Sequence, residues 1–186
     1  MTWKMIPMKK FAVAALSMLL VLSMIGCAFA TTTGVGSVTE VTATSADGDA
    51  VGKVSITTTM CAVTLDDDGV IVGIRFDAVQ PSASYDATGA VYGTVDASPL
   101  TKIEKGDDYN MKKFVPTAVG EWYEQAAALE AWCIGKTVDQ VLAMQTYSKE
   151  DGEHFCVPNE PDLVSSCTID VAAFQEALKK AADVAK

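Results

Sequence analysis

His154 is the only histidine in the chain. Any Ser/His/Asp or Cys/His catalytic arrangement would have to be built around it, which removes most nucleophile–base designs at once. It sits in the polar run Lys149-Glu150-Asp151-Gly152-Glu153-His154-Phe155-Cys156. His154, Cys156 and Cys167 could offer zinc three ligands, with an acid as the fourth. Their spacing matches no common structural zinc pattern, so a loop histidine beside a cysteine is the simpler reading and no metal is expected. Asp66-Asp67-Asp68-Gly69 invites calcium. With Gly69 at the sixth position of an EF-hand loop, however, the terminal ligands become Thr64 and Arg75, where the loop needs acids. A hairpin turn accounts for the run. Gly135-Lys136-Thr137 looks like the end of a phosphate loop, but Glu130 stands where the upstream glycine belongs.

One segment is better supplied for holding a small molecule. Tyr109, Trp122 and Tyr123 could stack on a planar ring, and Lys105, Lys112 and Lys113 form the only dense basic cluster, able to meet a phosphate. The alternative is that Trp122 is helix core and the lysines lie along the surface with their heads in water.

The remaining reactive residues are cysteines, five in all. Cys27 follows Met8-Lys9-Lys10, a long apolar run over residues 11–25, and Gly26, the order of charges and apolar residues found in a bacterial export signal. Cleavage before Cys27 would make it the mature N-terminus. Ala28-Phe29-Ala30 also suits ordinary secretory cleavage, releasing a chain that begins near Thr31. An uncleaved anchor is a third option, although two serines and a glycine dilute the apolar run and no basic cluster follows it. Met1–Pro7 precedes the more typical signal start at Met8. The other four cysteines, Cys61, Cys133, Cys156 and Cys167, permit two disulfides in three connectivities. Cys61 and Cys133 fall on apolar faces while Cys156 and Cys167 bracket a loop, which favours Cys61–Cys133 with Cys156–Cys167. Buried free thiols are the competing state.

Removing residues 1–26 from the 186 leaves 160, enough for one domain with a sizeable core. It also removes Lys4, Lys9 and Lys10, so 11 basic residues face 24 acidic ones, a net charge of −13. Such a surface disfavours nucleic acid and anionic membrane surfaces as partners.

These residues have to be positioned by an ordered scaffold, and its pattern is readable. Residues 27–37 read as a Thr/Gly-rich flexible tether, with a single domain over 38–186. Val38, Val41 and Thr42 suggest a first strand ended by Asp47-Gly48-Asp49. Residues 54–65, rich in Val, Ile and Thr, and residues 70–79 form a hairpin about Asp66–Gly69, with Val70, Val72, Ile74 and Phe76 on one face. A second hairpin turns at Thr88-Gly89 and returns over 90–95. Residues 101–113 read as a charged, irregular connection. Trp122, Ala126, Leu129 and Cys133 share one face of a helix over 118–133, ended at Gly135. Thr137 and Gln140 make a capping box for a short helix over 138–144. After a loop over 147–165, Thr168 or Asp170 caps an amphipathic helix over 171–185 whose inward stripe is Ala172, Ala173, Phe174, Leu178, Ala181 and Ala182. Strands first and helices last predict an α+β fold, an antiparallel β-meander from the N-terminal half packed against C-terminal helices.

Three resemblances add to this. Met24-Ile25-Gly26-Cys27 resembles the lipobox of bacterial lipoproteins, with Met24 where Leu is usual. The resemblance implies a diacylglyceryl group on Cys27 and anchorage at the outer face of the cytoplasmic membrane, two acyl chains being enough for a stable hold. Residues 63–69, 105–113, 120–126 and 167–177 together resemble an uncharacterised family of exported lipoproteins from Gram-positive, mostly anaerobic bacteria, distantly like FMN-binding domains. That family brings no established activity. Asp86-Ala87-Thr88-Gly89-Ala90-Val91 resembles the flavin-attachment motif of exported FMN-binding domains, but the spacing is one residue short and Val91 replaces the acceptor threonine. Valine has no hydroxyl, so covalent flavin is excluded there and non-covalent FMN stays open. The expectation is a non-enzymatic domain for a small molecule or protein partner, with an FMN-binding redox accessory as the alternative.

Overall fold

A computed structural model describes residues 30–92, 98–152 and 154–186. Cys27, the export signal and residues 93–95 of the second hairpin lie outside the described residues. Residues 31–186 form one compact α+β unit. Strands β1 (Thr32–Thr44), β2 (Gly52–Leu65), β3 (Ile71–Val79), β4 (Ser82–Tyr85) and β5 (Val91–Tyr92) build an antiparallel sheet. Helices α1 (Lys102–Lys105), α2 (Met111–Phe114), α3 (Trp122–Cys133), α4 (Val138–Leu142) and α5 (Ala172–Asp183) follow, with a 3-10 turn at Gly106–Tyr109 between α1 and α2. A small pair, β6 (Thr146–Tyr147) and β7 (Val157–Pro158), lies before α5. No helix among the described residues is long and apolar enough to cross a membrane.

The long strand β2 organises the sheet. All of β1 pairs along one edge, from Thr32 opposite Leu65 to Thr44 opposite Lys53. The other edge is shared: β3 takes its C-terminal half and β4 its first four residues. Pro81 separates β3 from β4, since proline has no N–H to give the ladder, but its carbonyl still accepts from Ile56 N at 3.0 Å. Both hairpin turns use one device. Asp66 Oδ1 accepts from the amides of Asp68 and Val70, and Asp86 Oδ1 accepts from the amide and hydroxyl of Thr88 and from Ala90 N. In each, the glycine closing the turn takes positive φ. The Thr88 hydroxyl, followed by backbone amides, holds the Asp86 carboxyl below its usual range.

The supposed tether is strand. Thr32–Ser37 belongs to β1, because the two glycines there serve close packing rather than chain freedom. A Cβ on Gly34 would overlap the Ala181 carbonyl, and one on Gly36 would overlap the Ala177 carbonyl. Helix α5 therefore lies directly on β1, with Ala177, Leu178 and Ala181 fully buried beneath it. Its stripe is Phe174, Ala177, Leu178 and Ala181, whereas Ala172 is exposed. Phe174 ties the layers together: its ring meets Phe76 edge-on at 5.1 Å and stacks on Trp122 at 5.8 Å.

Other expectations shift for identifiable reasons. A bulge between Thr64 and Leu65 breaks the β3 alternation, so Ile71 is buried and Val72 exposed before Ile74, Phe76 and Ala78 resume the inward face. Helix α3 starts at Trp122, where Glu121 and Glu124 form a reciprocal cap. The 101–113 segment is mostly helical, started by the Thr101–Glu104 capping box. Glu130 closes the β3 edge, with Oε1 accepting from Phe76 N at 2.8 Å and Oε2 pairing with Arg75 at 3.1 Å. The structure forms neither expected disulfide; Cys61, Cys133, Cys156 and Cys167 are free thiols, and all but Cys156 are buried.

The close packing of α5 yields a first prediction. Gly36→Ala should lower stability by about 1–3 kcal/mol, because backbone rather than a flexible side chain must move. Gly73→Ala, whose added carbon would meet Thr64 at an ordinary 3.5 Å, should stay within about 1 kcal/mol of the parent. Urea midpoints of the two variants measure the contrast.

Candidate functional site

Helix α5 begins at Ala172, short of the distal part of the sheet, and a cleft of about 530 Å³ opens where its cover stops. The sheet supplies Glu40, Thr57, Thr59 and Ala78, and the link from β3 to β4 supplies Gln80. Lys102, Tyr109 and Met111 come from the connection after the sheet, Trp122 from the first turn of α3, and Phe174 from α5. His154, Phe155, Cys156 and Asp170 close the remaining side.

The wall is held by polar groups that serve backbone amides. Gln125 is fully buried; its Nε2 donates to the Gly120 carbonyl at 2.8 Å while its Oε1 accepts from the amide and hydroxyl of Thr168. This joins α3 to the approach to α5. Neither Thr168 nor Asp170 is the N-cap of α5, a position that Val171 holds without a side-chain cap; Asp170, one residue before it, accepts from Ala172 N through Oδ1 and from the Phe155 and Cys156 amides through Oδ2. Glu121 accepts from the amides of Met111 and Lys112. Asp77 Oδ1 accepts from Ala78 N and Ile103 N, which docks α1 on β3. No buried side-chain N or O among the described residues lacks a hydrogen-bond partner.

Lys102 is the cation of the cleft lining. Its Nζ lies 5.0 Å from the Tyr109 ring centroid and 5.3 Å from that of Trp122, and no carboxylate among the described residues pairs with it. Burial, reinforced by Lys105 and opposed by Asp77, brings its pKa down to about 8. Burial also raises Tyr109 above its ordinary value. A half-buried cation between two aromatic faces, without a counterion, suits an anion carried on a planar or apolar body.

Of the sequence candidates, Tyr109 and Trp122 line the cleft together. Lys105 stands outside the lining and acts on Lys102 and Tyr109 through charge. Lys112, Lys113 and Tyr123 are not brought in: both lysines are exposed, Lys113 lies over Phe114, and the Tyr123 hydroxyl donates to Asp107 at 3.1 Å. The flavin-like segment ends at Val91, an exposed residue of the β4–β5 hairpin, and lines no part of the cleft. Lys102 itself was missed; the signal was the Thr101-x-x-Glu104 capping box, which makes its segment a helix with Ile103 against the core. His154 and Cys156 share the cleft but do not engage one another. His154 Nδ1 bonds Asp151 Oδ2 at 2.7 Å, and the Cys156 thiol faces Gln175 Oε1 at 3.7 Å. Among the described residues no group of three or more potential ligands could hold a metal ion.

Burial pushes Cys61 and Cys133 up to about 12 and Cys167 up to about 11, so these thiols are protonated and unreactive. The unfolded chain releases those protons above about pH 9 whereas the folded chain keeps them. We predict that stability, with thiols kept reduced, is intact below pH 9 and falls above it by on the order of 1 kcal/mol per pH unit per thiol. Lys102 acts with opposite sign, because its folded pKa lies below the unfolded 10.5; Lys102→Met should steepen the fall. Urea midpoints between pH 8 and 10 check both signs. No protein-family model, curated protein or solved structure matches the chain, so the cleft is where a functional reading begins.

Proposed function

We propose that this chain is an exported binding domain, anchored through a lipid on Cys27 at the outer face of the cytoplasmic membrane. Its cleft takes a small anionic molecule with an aromatic or apolar body. The observation that carries the ligand reading is Lys102, set between Tyr109 and Trp122 with no carboxylate partner among the described residues, in a cavity of about 530 Å³. That volume falls in the range of roughly 300–1,000 Å³ typical of small-molecule sites. A binding role is favoured over a hydrolytic one because His154 and Cys156 bond to Asp151 and Gln175 instead of to each other. The export reading rests on Met8-Lys9-Lys10, the apolar run after it and Met24-Ile25-Gly26-Cys27. With β1 starting at Thr32, a lipid on Cys27 would leave five residue steps, roughly 17 Å of extended chain, before the sheet. A second reading is non-covalent FMN and a redox accessory role at the cell surface, and Tyr109 and Trp122 beside a lysine are the residues that favour it.

Two measurements test the proposal. In a Trp132→Phe background, Trp122 is the single tryptophan of the domain and reports directly on the cleft. Saturable quenching by micromolar FMN, with affinity falling as pH rises above 8 and lost in Lys102→Met, is the expected result. A response to 4-methylbenzoate but none to near-millimolar FMN would remove the flavin reading alone. Silence to both removes the ligand reading. Separately, the full chain should partition into the detergent phase in its bacterial host, and Cys27→Ser should shift it to the aqueous phase. Unchanged partitioning of Cys27→Ser would rule out the lipid anchor.

A further inference from the structure

A lysine in an acidic protein normally either pairs with a carboxylate or extends into water. Lys102 is half-buried, its ammonium lies over two rings, and no carboxylate among the described residues pairs with it. The charged and titratable groups around it come from every neighbouring element. Lys105 lies on its own helix and Tyr109 on the 3-10 turn. Asp77 on β3 is occupied by two amides, Glu40 on β1 lines the cleft, and Asp170 is occupied by three amides. His154, held to Asp151, is on the same lining.

We propose that Lys102 captures an aldehyde or ketone with a planar body, reversibly and covalently, as an imine inside the aromatic-walled cleft. This rests on the cleft being the ligand site and adds the chemical class of the ligand. The neutral amine gives its lone pair to the carbonyl carbon, the carbonyl π electrons move to oxygen, and one proton passes from nitrogen to that oxygen. The nitrogen lone pair then expels the hydroxyl as water, which takes a proton from solvent. Loss of the remaining N–H proton leaves the neutral imine, and no oxidant or reductant enters. Tyr109 and Trp122, which flank the Lys102 ammonium, would stack on the conjugated product. The depressed pKa supports the step, since at pH 7 about one Lys102 in ten is neutral, against fewer than about one in a thousand for an ordinary lysine.

The test uses the full chain with 4-formylbenzoate and cyanoborohydride, which reduces an imine to a stable secondary amine, followed by peptide mapping. The expected result is that Lys102 is modified at least about tenfold faster than Lys112 or Lys113. Its rate should rise with pH to a midpoint near 8, 4-methylbenzoate should slow it, and Lys102→Arg should carry no adduct. Mapping the parent protein decides the matter even where Lys102→Arg fails to fold. Modification of Lys102 no faster than Lys112 and Lys113, while 4-methylbenzoate still quenches Trp122, overturns the imine and leaves the cleft as a non-covalent site. Neither quenching nor preferential modification overturns both.

Discussion

The contact between Gly34 and Gly36 on β1 and the backbone of α5 at Ala177 and Ala181 sets the geometry of everything else. Glycine on the strand and alanine on the helix allow the two backbones to approach without intervening side chains, and interiors packed at that density do not deform gradually. The depth of α5 fixes where Phe174 lies. Phe174 in turn fixes Phe76 and Trp122, one ring edge-on and the other stacked. Because the helix begins at Ala172, its cover ends before the sheet does. The cleft is the space left between the longer strands β1, β2 and β3 of the sheet and a helix of twelve residues.

Around that space the polar side chains divide into two kinds. Gln125, Asp170, Glu121, Asp77 and Glu130 each satisfy backbone amides or carbonyls across elements, which is the condition for a polar group to be tolerated inside a fold. They act as fasteners between α3, the approach to α5, the short helices and the β3 edge. Lys102 fastens nothing comparable. Its charge lies over two ring faces with Asp77 attracting it from a distance, and its burial is expressed as a lowered pKa. A site that keeps one charged group poorly compensated is one in which a ligand can gain by supplying what is missing. The three buried thiols show the opposite use of burial, which makes them inert.

Much of the scaffold was legible. The β2–β3 hairpin, the Thr137–Gln140 cap and the inward face Trp122, Ala126, Leu129 and Cys133 each express a local rule, whether alternation, reciprocal capping or helical period, and each stands in the structure. The failures have one origin. Thr32–Ser37 looked like linker because glycine and threonine are ambiguous until a partner surface is known, and that partner, α5, lies some 140 residues away in the chain. The bulge at Thr64–Leu65 moved Ile71 inward against simple alternation. Of the ligand candidates, Tyr109 and Trp122 converge, but counting nearby lysines selected Lys112 and Lys113, which face solvent, over Lys102.

By itself the sequence determined what near neighbours can decide: the main hairpin and the longer helices, where turns close, the acidic surface, and the chemistry that one histidine and a valine at position 91 rule out. Those properties follow from backbone propensity and side-chain composition within a few residues. Tertiary structure decided how deeply α5 sits on the sheet, which cysteines are sealed in the core, and which lysine is half-buried over two aromatic rings. Desolvation and close approach belong to pairs of surfaces, and those surfaces meet only after the chain has folded.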